Sequence, residues 1–138
     1  MEFLVNVDVD DLARAERFYR EAFDLHPGRR FGAFALELLG GPTPIYLLAK
    51  AAGTPVAPAA AGTRTYERHW TPLHLDFVVA DVEAAVQRAL AAGARLERAI
   101  ETHAWGRIAL MADPFGHGFC LLQFLGRGYD EIAATDRA

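Results

Sequence analysis

The sequence repeats one pattern, without a gap, at an offset of 70 residues. A short alternating run starts at Val5 and again at Leu75, and each run is followed by an aspartate, Asp11 or Asp81, and a helical apolar stripe. The chain therefore contains two copies of one supersecondary unit. Because each copy buries one face and leaves the other free, two copies can form the walls of a shared cleft.

The first strand of each copy has two different faces. One face is apolar and is predicted to pack beneath the helices, since only the helices have matching apolar stripes. The opposite face is predicted to line the cleft. It carries Leu4, Asn6, Asp8, His74 and Asp76. The alternative is that this face is simply solvated, as one face of an antiparallel sheet often is.

Both helices have recognisable ends. Asp10 and Asp11 can cap the first helix, and Asp81 leads the second. Pro27-Gly28 is predicted to end the first helix, and Gly93 suits the C-cap of the second. Further strands are predicted at residues 31–39, 44–50, 94–100, 107–111 and 118–124.

These elements predict a single α+β domain over residues 1–138. Two tandem βαβββ modules, residues 3–50 and 73–125, are expected to form a curved mixed sheet around a cleft. Residues 51–72 are rich in Ala, Pro, Gly and Thr, and a segment of this length in a small domain is usually a linker or a functional flap. Residues 126–138 form a C-terminal tail outside the repeat, with a short helix predicted at 129–134.

Charge and hydropathy argue against several classes of partner. A net charge of −4 and an isoelectric point near 5.7 give no electrostatic basis for nucleic-acid binding. No apolar run is long enough to span a membrane, and Met1-Glu2-Phe3 lacks the basic start of a secretory signal. We therefore expect no nucleic-acid or membrane partner and a cytoplasmic location. The single cysteine, Cys120, fits a reducing compartment.

The doubled unit, the Asp-led helices and the closing segment DPFGHGFCLLQF (113–124) resemble the vicinal oxygen chelate superfamily. This superfamily comprises glyoxalase I, extradiol dioxygenases and bleomycin-resistance-type proteins, and the resemblance covers residues 3–125. It implies the glyoxalase/bleomycin resistance-like fold and, as is common among members, a homodimer. It leaves the activity open, because the superfamily includes metal-dependent enzymes and metal-free binding proteins.

The resemblance also implies where a metal would be bound in an enzymatic member. One ligand comes early in each module's first strand and one from each last strand, which corresponds here to Leu4, His74, Tyr46 and Cys120. Leu4 cannot coordinate a metal, and a neutral tyrosine seldom does, so we expect neither the full metal site nor a cofactor. A less favoured alternative is a divalent metal such as zinc near His74 and Cys120, with Asp76 or a partner chain as third ligand. Cys120 is otherwise a small apolar filler.

The functional hypothesis is a protein that binds a small organic molecule in the cleft, with acidic residues favouring a cationic ligand. The predicted ligand-binding residues are Asn6, Asp8, Tyr46, Trp70, His74, Asp76 and Cys120. No catalytic residue is assigned, although His74 is a conceivable general base. From strand geometry, His74 and Asp76 are expected to stand about 6 to 7 Å apart, too far for a direct hydrogen bond.

Three alternatives stay open. The protein is either this binder, a metal-dependent lyase, isomerase or dioxygenase of the same superfamily, or an interaction module that has kept the fold and lost the chemistry. For two further side chains a purely structural role is the alternative to a functional one. Trp70 is then a core residue, and His117 satisfies backbone groups of its own turn.

Overall fold

The computed structural model of the chain describes residues 1–59 and 62–135. Two βαβββ modules follow one another along the chain, and a 3₁₀ helix at Gly128–Glu131 follows them. The first module contains β1 (Val5–Val9), α1 (Leu12–Phe23), β2 (His26–Phe31), β3 (Ala35–Leu39) and β4 (Ile45–Ala49). The second contains β5 (Leu75–Val78), α2 (Val82–Ala92), β6 (Arg95–His103), β7 (Gly106–Ala112) and β8 (Gly118–Phe124).

Each module has its own four-stranded mixed sheet. The strand orders are β1-β4-β3-β2 and β5-β8-β7-β6, with the first strand parallel to the last and the other neighbours antiparallel. The predicted α+β class and the two tandem modules are confirmed. Instead of one curved mixed sheet, the structure has two separate sheets, and β1 and β5 are each an edge strand.

Both helices begin at the predicted caps. The carboxylate of Asp11 accepts from the backbone N–H of Arg14 at 3.0 Å, and that of Asp81 accepts from Ala84 at 3.1 Å. Gly93 ends α2 with a φ of 117°, a left-handed conformation in which glycine carries no steric penalty. These contacts satisfy backbone groups that have no partner inside the helix.

The predicted end of α1 is wrong, and the predicted strand 31–39 is confirmed only over β3, residues 35–39. The helix ends earlier, where Asp24 takes a φ of 55°, and residues 26–31 form β2. A turn at Gly32, whose φ is 55°, then separates β2 from β3. Pro27 and Gly28 obscured β2 in the sequence, yet β2 is an edge strand, where proline is tolerated.

The two modules meet through their helices in one continuous apolar core. The ring of Phe23 in α1 stacks on Phe77 of β5 with a centroid distance of 3.9 Å and meets Phe119 of β8 edge-on at 5.4 Å. The Tyr19 hydroxyl donates to the buried carboxylate of Asp113 at 2.7 Å, and burial, followed by Asp113, raises the pKa of Tyr19. The sheet faces that carry Tyr46 and Cys120 lie outside this core.

The connection between the modules is fixed at both ends. Tyr66 donates through its hydroxyl to the carbonyl of Lys50 at 2.6 Å, and His69 donates through its backbone to the carbonyl of Gly116 at 3.2 Å. A Cβ at Gly116 would collide with the backbone of residue 67, so this close approach requires glycine. None of the helices in the described ranges is long and apolar enough to cross a membrane.

Candidate functional site

Three potential ligand side chains converge on the outer face of the second sheet. Asp76 in β5 lies directly opposite Cys120 in β8, and His74 precedes Asp76 by two residues, so all three side chains point to the same side. One ligand atom from each lies within 4.8 Å of the other two. We call this set the His74 cluster.

The imidazole of His74 contacts Asp76 directly. Its Nδ1 lies 2.9 Å from Oδ1 of Asp76, so the predicted separation of about 6 to 7 Å is wrong. His74 precedes the first residue of β5, so the spacing of a regular strand does not apply to it. Both side chains are partly exposed, at 55% and 33%, so a ligand can reach them.

The thiol of Cys120 forms the buried part of the cluster. Burial raises the pKa of this thiol to about 11, and the negative charge of Asp76 and a hydrogen bond to it act in the same direction. Cys120 is therefore a neutral thiol near pH 7. It can donate a weak hydrogen bond, or become a metal ligand only by losing its proton to the metal.

A pocket of about 190 Å³ opens beside the His74 cluster and is lined by His74 and Cys120 but not by Asp76. Arg68 and Glu97 form a two-pronged ion pair at its side, with N–O distances of 2.7 and 3.0 Å. Trp70 lines the pocket and is 82% exposed, so the alternative that Trp70 is a core residue is wrong. The pocket is thus lined by an exposed aromatic side chain, an ion pair, an imidazole and a thiol.

The corresponding face of the first sheet carries a different polar set. The hydroxyl of Tyr46 donates to Glu37 at 2.7 Å, and the guanidinium of Arg29 donates to both side chains at 2.8 Å. The side-chain and backbone bonds from Arg29, with that from Tyr46, lower the pKa of Glu37 to about 2. Asn6 lies opposite Tyr46 in the β1–β4 pair.

Two residues of this second set, Arg29 and Glu37, were not predicted as site residues. A usable signal exists for Glu37, because alternation along β3 places it on the face of Tyr46, its direct neighbour in β4. Arg29 lies in the strand that the sequence did not reveal. Its guanidinium joins this network at the surface, and it remains 68% exposed.

Asp8 and His117 connect the modules. Arg64, from the connecting segment, donates to the Asp8 carboxylate at 2.8 Å. The ring of His117 contacts the Asp8 carbonyl at 2.7 Å through Nε2 and His69 at 3.1 Å through Nδ1. The expectation that His117 satisfies only its own turn is wrong. Its backbone N–H donates to Asp113 within the turn, but its ring contacts Asp8 in the first module.

The predicted residues therefore fall into separate groups. Trp70, His74 and Cys120 line the 190 Å³ pocket, together with residues of the second module and the connection. Asn6 and Tyr46 lie on the first sheet, and Asp8 is engaged by Arg64. A larger cavity of about 630 Å³ lies between the modules and shares only Asp76 with the His74 cluster. We take the smaller pocket as the candidate site because potential ligand side chains, His74 and Cys120, line it, although its volume is lower.

The His74 cluster fits a soft divalent cation such as zinc, since imidazole, carboxylate and thiolate are its usual ligands. The four positions implied for an enzymatic relative do not fit. Leu4 has no donor atom, and the hydroxyl of Tyr46 is committed to Glu37. Any metal would thus be held by the second module and by solvent or a ligand.

The glyoxalase-like domain family matches residues 4–122, so the chain belongs to this family, within the vicinal oxygen chelate superfamily. The chain is 34% identical over 143 residues to the uncharacterized protein Mb0911c of Mycobacterium bovis, covering 92% of this chain and 86% of that one.

Solved structures share the fold at lower identity. A glyoxalase-related enzyme from Fulvimarina pelagi superposes with a TM-score of 0.69 at 20% identity, covering 89% of this chain and 87% of that chain. The fosfomycin resistance protein FosX from Listeria monocytogenes superposes with a TM-score of 0.67 at 17% identity, covering 91% and 93%.

Proposed function

We propose that this protein binds a small organic molecule, without the full metal site of its enzymatic relatives, on the face formed by the His74 cluster and Trp70. The convergence of His74, Asp76 and Cys120, beside a pocket that His74, Cys120 and Trp70 line, carries the proposal. Asp76 supplies negative charge, Cys120 supplies a neutral thiol, and Trp70 supplies an exposed aromatic face. This combination favours a cation with an apolar or aromatic body.

A second copy of the chain completes the site in this proposal. A pocket of about 190 Å³ is small for an organic ligand, since typical pockets hold about 300–1,000 Å³. Large apolar side chains are exposed on the first-strand faces and in the segment before β5: Leu4 (57%), Val78 (60%) and Leu73 (84%). Such residues support a homodimer in which the face with Asn6 and Tyr46 covers the pocket. Asp8 would then lie at the margin, beside Arg64.

Binding can be followed through Trp70. In a Trp105→Phe background, Trp70 is the only tryptophan, and its fluorescence reports directly on the pocket. We expect benzyltrimethylammonium, a cationic aromatic probe, to change this fluorescence saturably in the presence of EDTA. Asp76→Asn and His74→Ala should weaken binding about fivefold or more, because a charge-assisted contact contributes about 1–2 kcal/mol.

The chain offers a matched control in another exposed histidine–carboxylate pair. His103 Nε2 lies 3.5 Å from Glu101, far from the pocket lining. His103→Ala and Glu101→Gln should leave the affinity unchanged. An equal loss in both pairs would indicate a general charge effect and would contradict a site at the His74 cluster.

The alternative activity, a metal-dependent lyase, isomerase or dioxygenase, is favoured by the same three ligand atoms. A bound divalent ion would polarise adjacent oxygens of a substrate. Elemental analysis of protein purified without tag or chelator separates the two proposals. Near-stoichiometric metal that disappears in His74→Ala favours the enzyme, whereas metal-free protein that still binds the probe favours the binder.

The remaining expectations are proposals of the same kind. We place the protein in the cytoplasm and assign it neither a nucleic-acid nor a membrane partner, on the grounds of its net charge of −4 and its single buried cysteine.

A further inference from the structure

A second, larger cavity lies between the two modules, along the edge of β5 that does not pair with β8. Its volume is about 630 Å³, within the range of small-molecule sites. The lining includes Phe23, Gly41, Phe77, Val78, Ala84 and Arg88. Asp76 also lies along this edge, but His74 and Cys120 do not line the cavity.

The internal repeat shows what fills the corresponding place in the other half of the molecule. There, beside β1 and α1, the fully buried ring of Phe115 occupies the turn before β8, with the Arg14 guanidinium 5.5 Å from its centroid. The turn before β4 is Gly40-Gly41-Pro42-Thr43 and has no aromatic residue. Ala84 takes the place of Arg14 at the offset of 70 residues. The cavity beside β5 and α2 therefore corresponds to the space that the ring of Phe115 fills beside β1 and α1.

A backbone acceptor is also left free on this side. In β1, the carbonyl of Asp8 points away from the sheet and contacts the ring of His117 at 2.7 Å. The equivalent residue in β5 is Val78. Because the N–H of Val79 bonds to Leu122 of β8 at 2.8 Å, the Val78 carbonyl points to the opposite, free edge. Among residues 1–59 and 62–135, no group donates a hydrogen bond to the Val78 carbonyl.

The three charged side chains that line this cavity already have partners within the chain: Asp76 contacts His74, Asp81 caps α2, and Arg88 has two partners of its own. Arg88 donates to the carbonyl of Glu21 at 2.9 Å and lies 3.7 Å from the Asp24 carboxylate. A ligand here gains little from a negative charge. Phe23 and Phe77, stacked on one another at 3.9 Å, provide the apolar wall.

We propose that this cavity is a second binding site, for a neutral aromatic molecule that carries an N–H or O–H donor. The ring packs against Phe23 and Phe77, as Phe115 packs in the other half, and the donor bonds the Val78 carbonyl. The site does not rest on the function proposed above. It shares no lining residue with the 190 Å³ pocket, although Asp76 of the His74 cluster lies along its edge.

Indole is a suitable probe, and naphthalene is a comparable ring system that lacks the donor. We expect indole to bind, to raise the melting temperature and to shift the backbone amide resonances of Asp76 and Val78. Naphthalene should bind about fivefold more weakly, because one hydrogen bond contributes about 1 kcal/mol. Equal affinities, or no binding of indole, would overturn the proposal.

Two substitutions fill the cavity without strain. A Cβ at Gly41 meets only the Thr43 carbonyl, at 3.6 Å, and Ala84 is exposed, so Gly41→Phe and Ala84→Leu should fold normally. Both should abolish indole binding, while Ala91→Leu, on the same helix outside the lining, should preserve it. Indole binding that survives both cavity variants, or that is lost in His74→Ala, would place the site elsewhere and refute the assignment.

Discussion

The chemical role of Cys120 depends on the protonation state of its thiol. Burial and the nearby Asp76 keep its thiol protonated, with a pKa of about 11. In this state Cys120 contributes apolar volume and a weak donor to the pocket. A divalent metal would displace the proton, so the same side chain would become a strong ligand.

The protonation state of Cys120 is directly testable. We predict that iodoacetamide modifies the folded protein slowly at pH 8 and that the rate rises with a midpoint near pH 11, because only the thiolate reacts. Asp76→Asn should lower this midpoint, since it removes a negative charge that opposes ionisation. A midpoint at or below the ordinary value of 9.0 would contradict a buried, neutral thiol.

Glu37 gives the first sheet a pH-dependent interaction. Its folded pKa of about 2 lies below the ordinary 4.5, so its contribution to stability is complete above pH 4.5 and is lost as the pH falls towards 2. We predict that Glu37→Gln lowers stability at pH 7 and makes stability less dependent on pH between 5 and 2. Urea unfolding over this range measures both effects.

The control for Glu37 is Glu83→Gln, because the Glu83 carboxylate contacts Arg107 and is 66% exposed. A surface pair of this kind has little influence on stability. An acid dependence that Glu83→Gln flattens as much as Glu37→Gln would mean that the Arg29–Glu37–Tyr46 network has no special role.

At the scale of elements, α1 is fixed to the β7–β8 turn by one buried hydrogen bond, from Tyr19 to Asp113. The same carboxylate also accepts from the backbone of Phe115 and His117, so it organises the turn as well. We predict that Tyr19→Phe lowers the free energy of unfolding by about 1.5–3 kcal/mol, the range for a hydrogen bond to a charged group. Tyr129→Phe, at an exposed tyrosine, should have almost no effect. A negligible loss in Tyr19→Phe would show that water replaces the hydroxyl.

Most elements could be predicted from periodicity and caps, and the failures have physical causes. The pattern of α2 is clear because Val82, Val86 and Ala89 follow the helical repeat between Asp81 and Gly93. Strand β2 is hidden because most of its residues lack strand propensity and it pairs with a single neighbouring strand, β3.

The candidate site was only partly predictable for a similar reason. Alternation placed His74 and Asp76 on the cleft face, and the family resemblance placed Cys120 at the same site; in the structure Asp76 lies opposite Cys120. It gave the wrong distance to His74, since alternation describes a regular strand and His74 lies before one. The contacts of His117 and Arg64 with the first module depend on tertiary packing, which no local pattern encodes.

At the scale of the whole molecule, the helices of both modules share one core, and the sheet faces with Tyr46 and Cys120 lie outside it. Burial of the helices therefore stabilises the single chain, while the outer faces keep exposed apolar residues such as Leu4, at 57%. The single chain can therefore be stable while apolar side chains on its outer faces stay uncovered.

We predict that the protein is a dimer in solution and that Leu4→Glu shifts it towards monomer, because a charge on an apolar contact face must be desolvated on association. Sedimentation at several concentrations measures the equilibrium. Ala13→Glu, on the exposed side of α1, should leave it unchanged. A wild-type monomer at high concentration would rule out a site completed by a second copy.

The most direct test of binding at the His74 cluster is a map of resonance shifts when benzyltrimethylammonium is added to the isotope-labelled protein in EDTA. We predict the largest changes at Trp70, His74, Asp76 and Cys120, with weaker changes at Asn6 and Tyr46, on the face of the second copy that covers the pocket. Changes confined to other parts of the molecule, or a response that appears only when zinc replaces EDTA, would contradict metal-free binding at the His74 cluster.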